Sequence, residues 1–290
     1  MRSILFFLCF YLFALTTQAQ NKAYDSLDNS LLWKISGKNI SAPIYLYGTI
    51  HSICLESVYW PETIDSILKN SNVLYLEIDV TKAESRYYDK SLYSFYNNER
   101  PKIQYTDNKL VNPNLKNAQL LNTVKKINAQ PANSDSQDSV STETGMYTYM
   151  DLECKEFISF EKLIYSKAKG LNMELHGFES FMKQYWVLGR VGVLASKSSG
   201  GNETPLSYLI DLYNQQQLNK IHKTIYESQK VPEINEILFD NRNKKWVKKL
   251  KSIPKNKSTF IAVGTGHLSG ANGVIHLLRK EGYTVTAVSY

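Results

Sequence analysis

At 290 residues, with 34 Lys and Arg against 27 Asp and Glu for a net charge of +7, the chain is long enough for one large or two small domains. Its basic residues are scattered, and the densest run, Asn-Arg-Asn-Lys-Lys-Trp-Val-Lys-Lys-Leu-Lys over residues 241–251, suits a solvated helix face with Trp246, Val247 and Leu250 turned inward. That distribution argues against a nucleic-acid partner, and three cysteines are too few to frame a fold.

In chain order, Arg2 and the apolar run over residues 4–15 predict an export signal, since a spanning helix takes about 20 residues. Thr17-Gln18-Ala19 ahead of Gln20 supplies the small-residue cleavage pattern. The expectation is a signal peptide over residues 1–19, a mature domain over 20–290 with a charge of +6 once Arg2 is lost, a secreted or periplasmic location, and no transmembrane anchor after signal cleavage. Cys54 and Cys154 would remain, and an oxidising exterior would allow them to pair.

Residues 31–35 and 44–47 are β-rich runs around the turn cluster Ser36-Gly37-Lys38-Asn39, which predicts an opening hairpin. Residues 61–68 have helical spacing behind Pro61, and residues 73–76 predict a strand running into Glu77-Ile78-Asp79. Residues 84–126 read as helical pieces. Residues 128–144 hold almost only small and polar types, the composition of a flexible loop. Phe157, Phe160, Leu163, Ile164 and Ala168 return to helical spacing before Gly170. Met173 and Leu175 start a strand, with Gly177 turning the chain into Phe178-Glu179. Residues 189–202 read as a second flexible connection, and residues 205–227 and 233–250 as amphipathic helices. A strand over 260–263, a helix over 273–280 and a strand over 283–288 close the chain. Strands and helices alternating at both ends predict an α/β fold, a central mixed β-sheet with a helical insertion.

The most informative feature is a repeated phrase. Ile44-Tyr45-Leu46-Tyr47-Gly48-Thr49-Ile50-His51 and Phe260-Ile261-Ala262-Val263-Gly264-Thr265-Gly266-His267 each place Gly-Thr-x-His at the end of an apolar strand. Glycine there permits a sharp turn, which would set each histidine beyond the carboxyl edge of the sheet, where open α/β sheets hold ligands. Glu77 and, a few residues past its strand, Glu179 occupy comparable positions. Two imidazoles with one or two carboxylates suit a divalent metal, which would acidify water and polarise a carbonyl. Strand-end histidines also serve as structural hydrogen bonders, so spacing alone leaves both readings open.

The phrases Leu32-Trp33-Lys34-Ile35, Tyr45 to His51, Leu76-Glu77-Ile78-Asp79, Gly177-Phe178-Glu179 with Gln184, Arg242-Asn243 with Trp246, and Val263 to Gly270 together resemble the TraB/GumN family, in the same order. That family includes the TIKI proteases and is related in fold to erythromycin esterases and haem-binding ChaN-like proteins. The resemblance implies a metal-dependent hydrolase acting on peptide or amide bonds. His51 and His267 match the paired histidine positions, Glu77 the essential acidic position, Glu179 the second acidic motif and Arg242 the basic position after the helical insertion. We expect His51, Glu77 and His267 to hold a divalent ion (Mn, Co or Zn), Glu77, Glu179 and Arg242 to serve catalysis, and Arg242 to pair with Glu179 or with a substrate carboxylate. One departure stands out: where the family carries an Asp upstream of the alanine matching Ala168, this chain reads Ser159-Phe160-Glu161. Either Glu161 takes its place or the pocket has lost a polar group.

Plainer readings attach to the remaining candidates. His176, His222 and His276 lack the glycine turn and read as structural or surface groups, and Asp79 as either a helper to Glu77 or a turn residue. The glycines from Gly264 to Gly273 match neither a P-loop nor a dinucleotide fingerprint. The 20 tyrosines read as packing residues. The expected partner is a peptide or small-molecule substrate. The alternative function is a non-catalytic protein that binds or sequesters a peptide or haem-like ligand.

Overall fold

The opening apolar runs pair as the expected hairpin. In a computed structural model describing residues 27–51, 53–54, 57, 59–79, 157–196, 205–229 and 231–290, β1 (Leu32–Ser36) lies antiparallel to β2 (Ile44–Thr49), with Leu32 opposite Tyr47 and Ile35 opposite Ile44. Their connection turns through three left-handed residues, Gly37, Lys38 and Asn39, at φ 88°, 48° and 63°. Glycine and asparagine enter that region most readily.

Four further strands complete the main sheet: β4 (Val73–Ile78), β6 (Glu174–Glu179), β7 (Thr259–Gly264) and β8 (Thr284–Ala287). The strand order is β6-β4-β7-β2-β1-β8. β6, β4, β7 and β2 run parallel, whereas β1 is antiparallel to both its neighbours. The sheet is therefore mixed and the fold α/β, with helices on both faces. All six residues of β7 are buried, as expected of an inner parallel strand covered on both sides. The short strands β3 (Ile53–Cys54) and β5 (Phe157–Ile158) form a separate pair.

α1 (Glu62–Lys69) follows Pro61 and buries Ile64 and Leu68. α2 (Phe160–Gly170) buries Phe160, Leu163, Ile164 and Ala168, a spacing that lines one face. Ser159 caps it by accepting from the Lys162 N–H. The helix ends at Gly170, but the left-handed residue that redirects the chain is Asn172, at φ 55°.

Three local expectations are revised. β6 runs straight through Gly177 to Glu179; a Cβ at Gly177 would collide with the backbone of Ile78 and Asp79, so this glycine serves strand contact rather than a turn. Residues 189–196 are helical, within α3 (Phe181–Ser196). Neither Gly189 nor Gly192 has any atom within 4 Å of where a Cβ would stand. The predicted helix over residues 205–227 is two helices, α4 (Leu206–Asn214) and α5 (Leu218–Ser228), broken by Gln216 at φ 55°. The helix over residues 233–250 begins as α6 (Pro232–Asn235), passes through a π-helical turn (Glu236–Asp240) and continues as α7 (Asn241–Leu250). A 3-10 turn (Thr265–His267) follows β7, and α8 (Val274–Lys280) leads into β8.

Among the described residues no helix is long and apolar enough to cross a membrane. The signal segment over 1–19, the helical pieces over 84–126, the loop over 128–144, the remainder of the 189–202 connection and Cys154 lie outside the described residues.

Candidate active site

Because β2, β4, β6 and β7 run parallel, their carboxyl ends meet along one edge of the sheet. Glu77 is the penultimate residue of β4 and Glu179 the last of β6. His51 follows β2 by two residues, and His267 closes the 3-10 turn after β7. All four sequence candidates reach this edge, and α7 brings Arg242 to it.

Arg242 is the hub. Its Nη2 donates to Glu77 Oε2 at 2.8 Å, its Nε to Glu179 Oε1 at 2.6 Å, and its Nη1 to the Leu238 carbonyl at 2.9 Å. The guanidinium also lies 4.8 Å from the centre of the Trp246 ring. Two buried carboxylates facing one buried guanidinium raise the Arg242 pKa despite the burial that works against its charge. The partner expected for Arg242 is therefore Glu179 together with Glu77, both within the chain. Lys183 Nζ approaches the other Glu179 oxygen at 3.2 Å.

Glu77 is held at both oxygens. Oε1 accepts from the Gly264 N–H at 2.7 Å, and Oε2 accepts from Gln184 Nε2 at 3.3 Å as well as from Arg242. Burial pushes its carboxyl up, but the facing charges of His267, Arg242 and His51 and the Gly264 N–H hold it down at about 2. His267 is itself kept neutral, so the lasting positive charges facing Glu77 are the Arg242 guanidinium and the His51 imidazole.

The two motif histidines have opposite environments. His267 is buried, its Nδ1 lies 2.6 Å from Asn243 Oδ1, and its Nε2 lies 3.2 Å from Arg242 Nη1 and 3.7 Å from Glu77 Oε1. Burial first, with Arg242 beside it, holds its pKa at about 3 against the pull of Glu77. His51 has a side chain 47% exposed, and its Nδ1 lies 3.0 Å from Glu161 Oε1. Desolvation in the pocket opposes its charge, but the Glu161 carboxylate, by charge and hydrogen bond, pushes it up to about 9.

The motif glycines act by leaving room. Gly48 and Gly264 lie within β2 and β7 rather than past them, and Gly264 has an ordinary φ of −54°. A Cβ on Gly264 would stand 3.1 Å from Glu77 Oε1 and 3.2 Å from His51 Nε2, so both groups line one small volume with this glycine as its floor. A Cβ on Gly48 would strike Leu268 and Thr265. The second motif also packs on the first, Thr265 Oγ1 donating to the Thr49 carbonyl at 2.8 Å.

Two imidazoles presenting Nε2, each tied at Nδ1 by an oxygen, match the usual support of metal-ligating histidines. Ligands at about 2.1 Å from one ion stand about 3–3.5 Å apart, and Glu77 Oε1 and His267 Nε2 are close to that already. Among the described residues, no three His, Cys, Asp or Glu side chains are gathered into a ready-made ion cage. The donor types of His51, Glu77 and His267 are those a divalent ion takes, although the three are not gathered into one coordination sphere.

The geometry meets an independent finding at this point: the TraB/PrgY/gumN family model matches residues 31–287, from the residue before β1 to the last residue of β8. The chain belongs to this family. No curated protein matches it.

Two residues complete the site of this TraB/PrgY/gumN chain beyond the assigned candidates. Glu161, at the family's departure point, reaches the pocket, accepting from Thr49 Oγ1 at 2.8 Å and facing His51. Asn243 carried no role in the sequence reading, although it stands beside Arg242 in the quoted phrase. Its only sequence signal is a polar residue between inward-facing Arg242 and Trp246 on α7. His176, read as a structural or surface group, is bound to Glu174 at 2.8 Å and stacked on Tyr75.

Proposed function

We propose that this chain is an exported, divalent-metal-dependent hydrolase of peptide or amide bonds, with His51, Glu77 and His267 as the ion-holding set. The observation that carries the reading is the convergence of two Gly-Thr-x-His imidazoles on one buried carboxylate at the carboxyl edge of the sheet. When bound, the ion supplies Lewis-acid polarisation of a carbonyl and acidifies water. Glu77 Oε1, turned toward both imidazoles, is the carboxylate placed to hold the ion or to take a proton from the attacking water. Glu179 is given over to Arg242 and Lys183, so its part is to hold the guanidinium against Glu77. Giving up the His51 proton would leave Glu77, Glu161 and Glu179 facing only Arg242 and Lys183, an excess of negative charge that favours a cation in that proton's place. Export rests on the charged start, short apolar run and Thr-Gln-Ala site of residues 1–19.

A second reading is favoured by one feature: Arg242 already engages Glu77, Glu179 and His267 together. A pocket neutralised in this way suits a protein that binds a peptide or haem-like ligand without cleaving it. Metal analysis of the purified protein, followed by a peptide library with added Mn, Co or Zn, separates the two. The hydrolase reading expects bound ion and cleavage that His51→Ala and Glu77→Gln abolish. Absence of both ion and cleavage, with retained ligand binding, would establish the binder.

A further inference from the structure

We infer that Asn243 is a positioning residue that fixes which nitrogen of His267 carries the lone pair, and that Asp240 holds Asn243 in that task through Asn272. Asn243 Nδ2 faces two carbonyls, that of Asn272 at 2.8 Å and that of His267 itself at 3.3 Å. A carbonyl only accepts, so the amide group must point its NH2 that way and its oxygen toward His267. Oδ1 then meets His267 Nδ1 at 2.6 Å. Since Oδ1 can only accept, Nδ1 must carry the hydrogen, and in the neutral ring Nε2 is left with its lone pair. That lone pair faces Arg242 Nη1 and Glu77 Oε1. Turning the amide over would set oxygen against two carbonyls inside a buried site, an arrangement with no compensating bond.

The support extends outward. Asn272 Nδ2 donates to Asp240 Oδ2 at 2.9 Å, and Tyr226 OH donates to Asp240 Oδ1 at 2.8 Å. Asp240 closes the π-helical turn immediately before α7, so the segment that delivers Asn243 also anchors the carbonyl it bonds. Ring rotation is restrained separately, because the His267 imidazole lies between Trp246, tilted 36° at 4.3 Å, and Phe239, edge-on at 5.1 Å. The aromatic pair sets the plane and Asn243 sets the tautomer. His51 presents its Nε2 to the same pocket by the parallel device of Glu161 at Nδ1.

The consequence for metal affinity rests on the proposed ion site, but the tautomer does not. The test is nitrogen NMR of protein labelled with 15N-histidine, with His267 assigned by its loss in His267→Gln. The wild type is expected to show a protonated Nδ1 and a bare Nε2. Asn243→Leu is expected to redistribute the proton between the two nitrogens. Asn272→Asp, which removes the donor to Asp240, serves as a second variant should Asn243→Leu not fold, and is expected to shift the His267 signals part of the way. Divalent-ion affinity is expected to fall about 10–100-fold in Asn243→Leu, the usual effect of losing such a support. A His267 tautomer unchanged in a folded Asn243→Leu, or a wild type with the proton on Nε2, overturns the inference. A wild type that shows the expected tautomer but binds no ion overturns the hydrolase reading alone.

Discussion

Arg242 Nη2 and Glu77 Oε2 lie 2.8 Å apart with both side chains buried, and the same guanidinium holds Glu179. Removing one partner of such a group leaves charge stranded out of water, which costs about 3–5 kcal/mol. Arg242→Met is therefore expected to lower stability by that amount in chemical denaturation, with two carboxylates left unpaired. Replacing Arg242, Glu77 and Glu179 together by Met, Gln and Gln should restore much of the loss, because the interior then carries no orphan charge. A triple variant no more stable than Arg242→Met would show that the cost arises from packing.

Glu161 gives the opposite balance. Its partner His51 is half exposed, and ion pairs near solvent contribute about 0–1 kcal/mol. Glu161→Ala is expected to change the melting temperature little while lowering divalent-ion affinity about 10–100-fold, since the Nδ1 support of His51 is lost. Thermal melts and ion titration on the same preparation check this. A large loss of stability with unchanged affinity would assign Glu161 to the scaffold.

Gly264→Ala probes the floor of the pocket. The backbone there is compatible with alanine, at φ −54°, but the new methyl would press on Glu77 Oε1 and His51 Nε2. The protein should fold, and catalysis should fall about 100-fold, the scale set by displacing reacting groups by about 1 Å. Circular dichroism with hydrolysis rates measures both, and a fully active Gly264→Ala would place the working volume elsewhere.

Much of this arrangement was legible in the chain and part of it was not, for a physical reason. Strands such as 73–78 and 259–264 announce themselves because an apolar run buried on both faces has one obvious structure, and Gly-Thr-x-His announces itself by repetition. The work of Gly177, Gly48 and Gly264 lies in contacts between segments far apart in sequence, so composition pointed to turns where the molecule needs space. Gly189, Gly192 and the serine and glycine that follow suggested a flexible connection, yet α3 continues to Ser196, with Val187, Leu188, Val191 and Leu194 packed on the core. Asn243 was invisible as a site residue, since its meaning depends on His267, 24 positions away. Glu161 could be flagged because it occupied a position where a carboxylate was missing.

Asp65 contributes to the acid limb of stability alongside Glu77, and unlike Glu77 it stands outside the candidate site. It is buried on α1, accepting from Trp60 Nε1 at 3.0 Å and Lys167 Nζ at 2.7 Å, with Lys69 Nζ at 2.6 Å. Burial would raise its pKa, but these donors hold it at about 2, below the ordinary 3.8. A folded value below the unfolded one means the contribution is whole above about pH 4 and is lost as pH falls toward 2. Urea denaturation from pH 6 to pH 2 should show this decline in the wild type and a flatter one in Asp65→Asn, which is less stable at pH 6 by about 2 kcal/mol. Parallel profiles would exclude Asp65 as the source.

The shared-ion claim is tested most directly by anomalous diffraction from crystals soaked in Mn or Zn, recorded on either side of the metal edge. The account predicts one strong peak within bonding distance of His51 Nε2, His267 Nε2 and a Glu77 oxygen, lost in Glu77→Gln. No peak there, with Arg242 still bridging Glu77 and His267 under saturating metal, would contradict it.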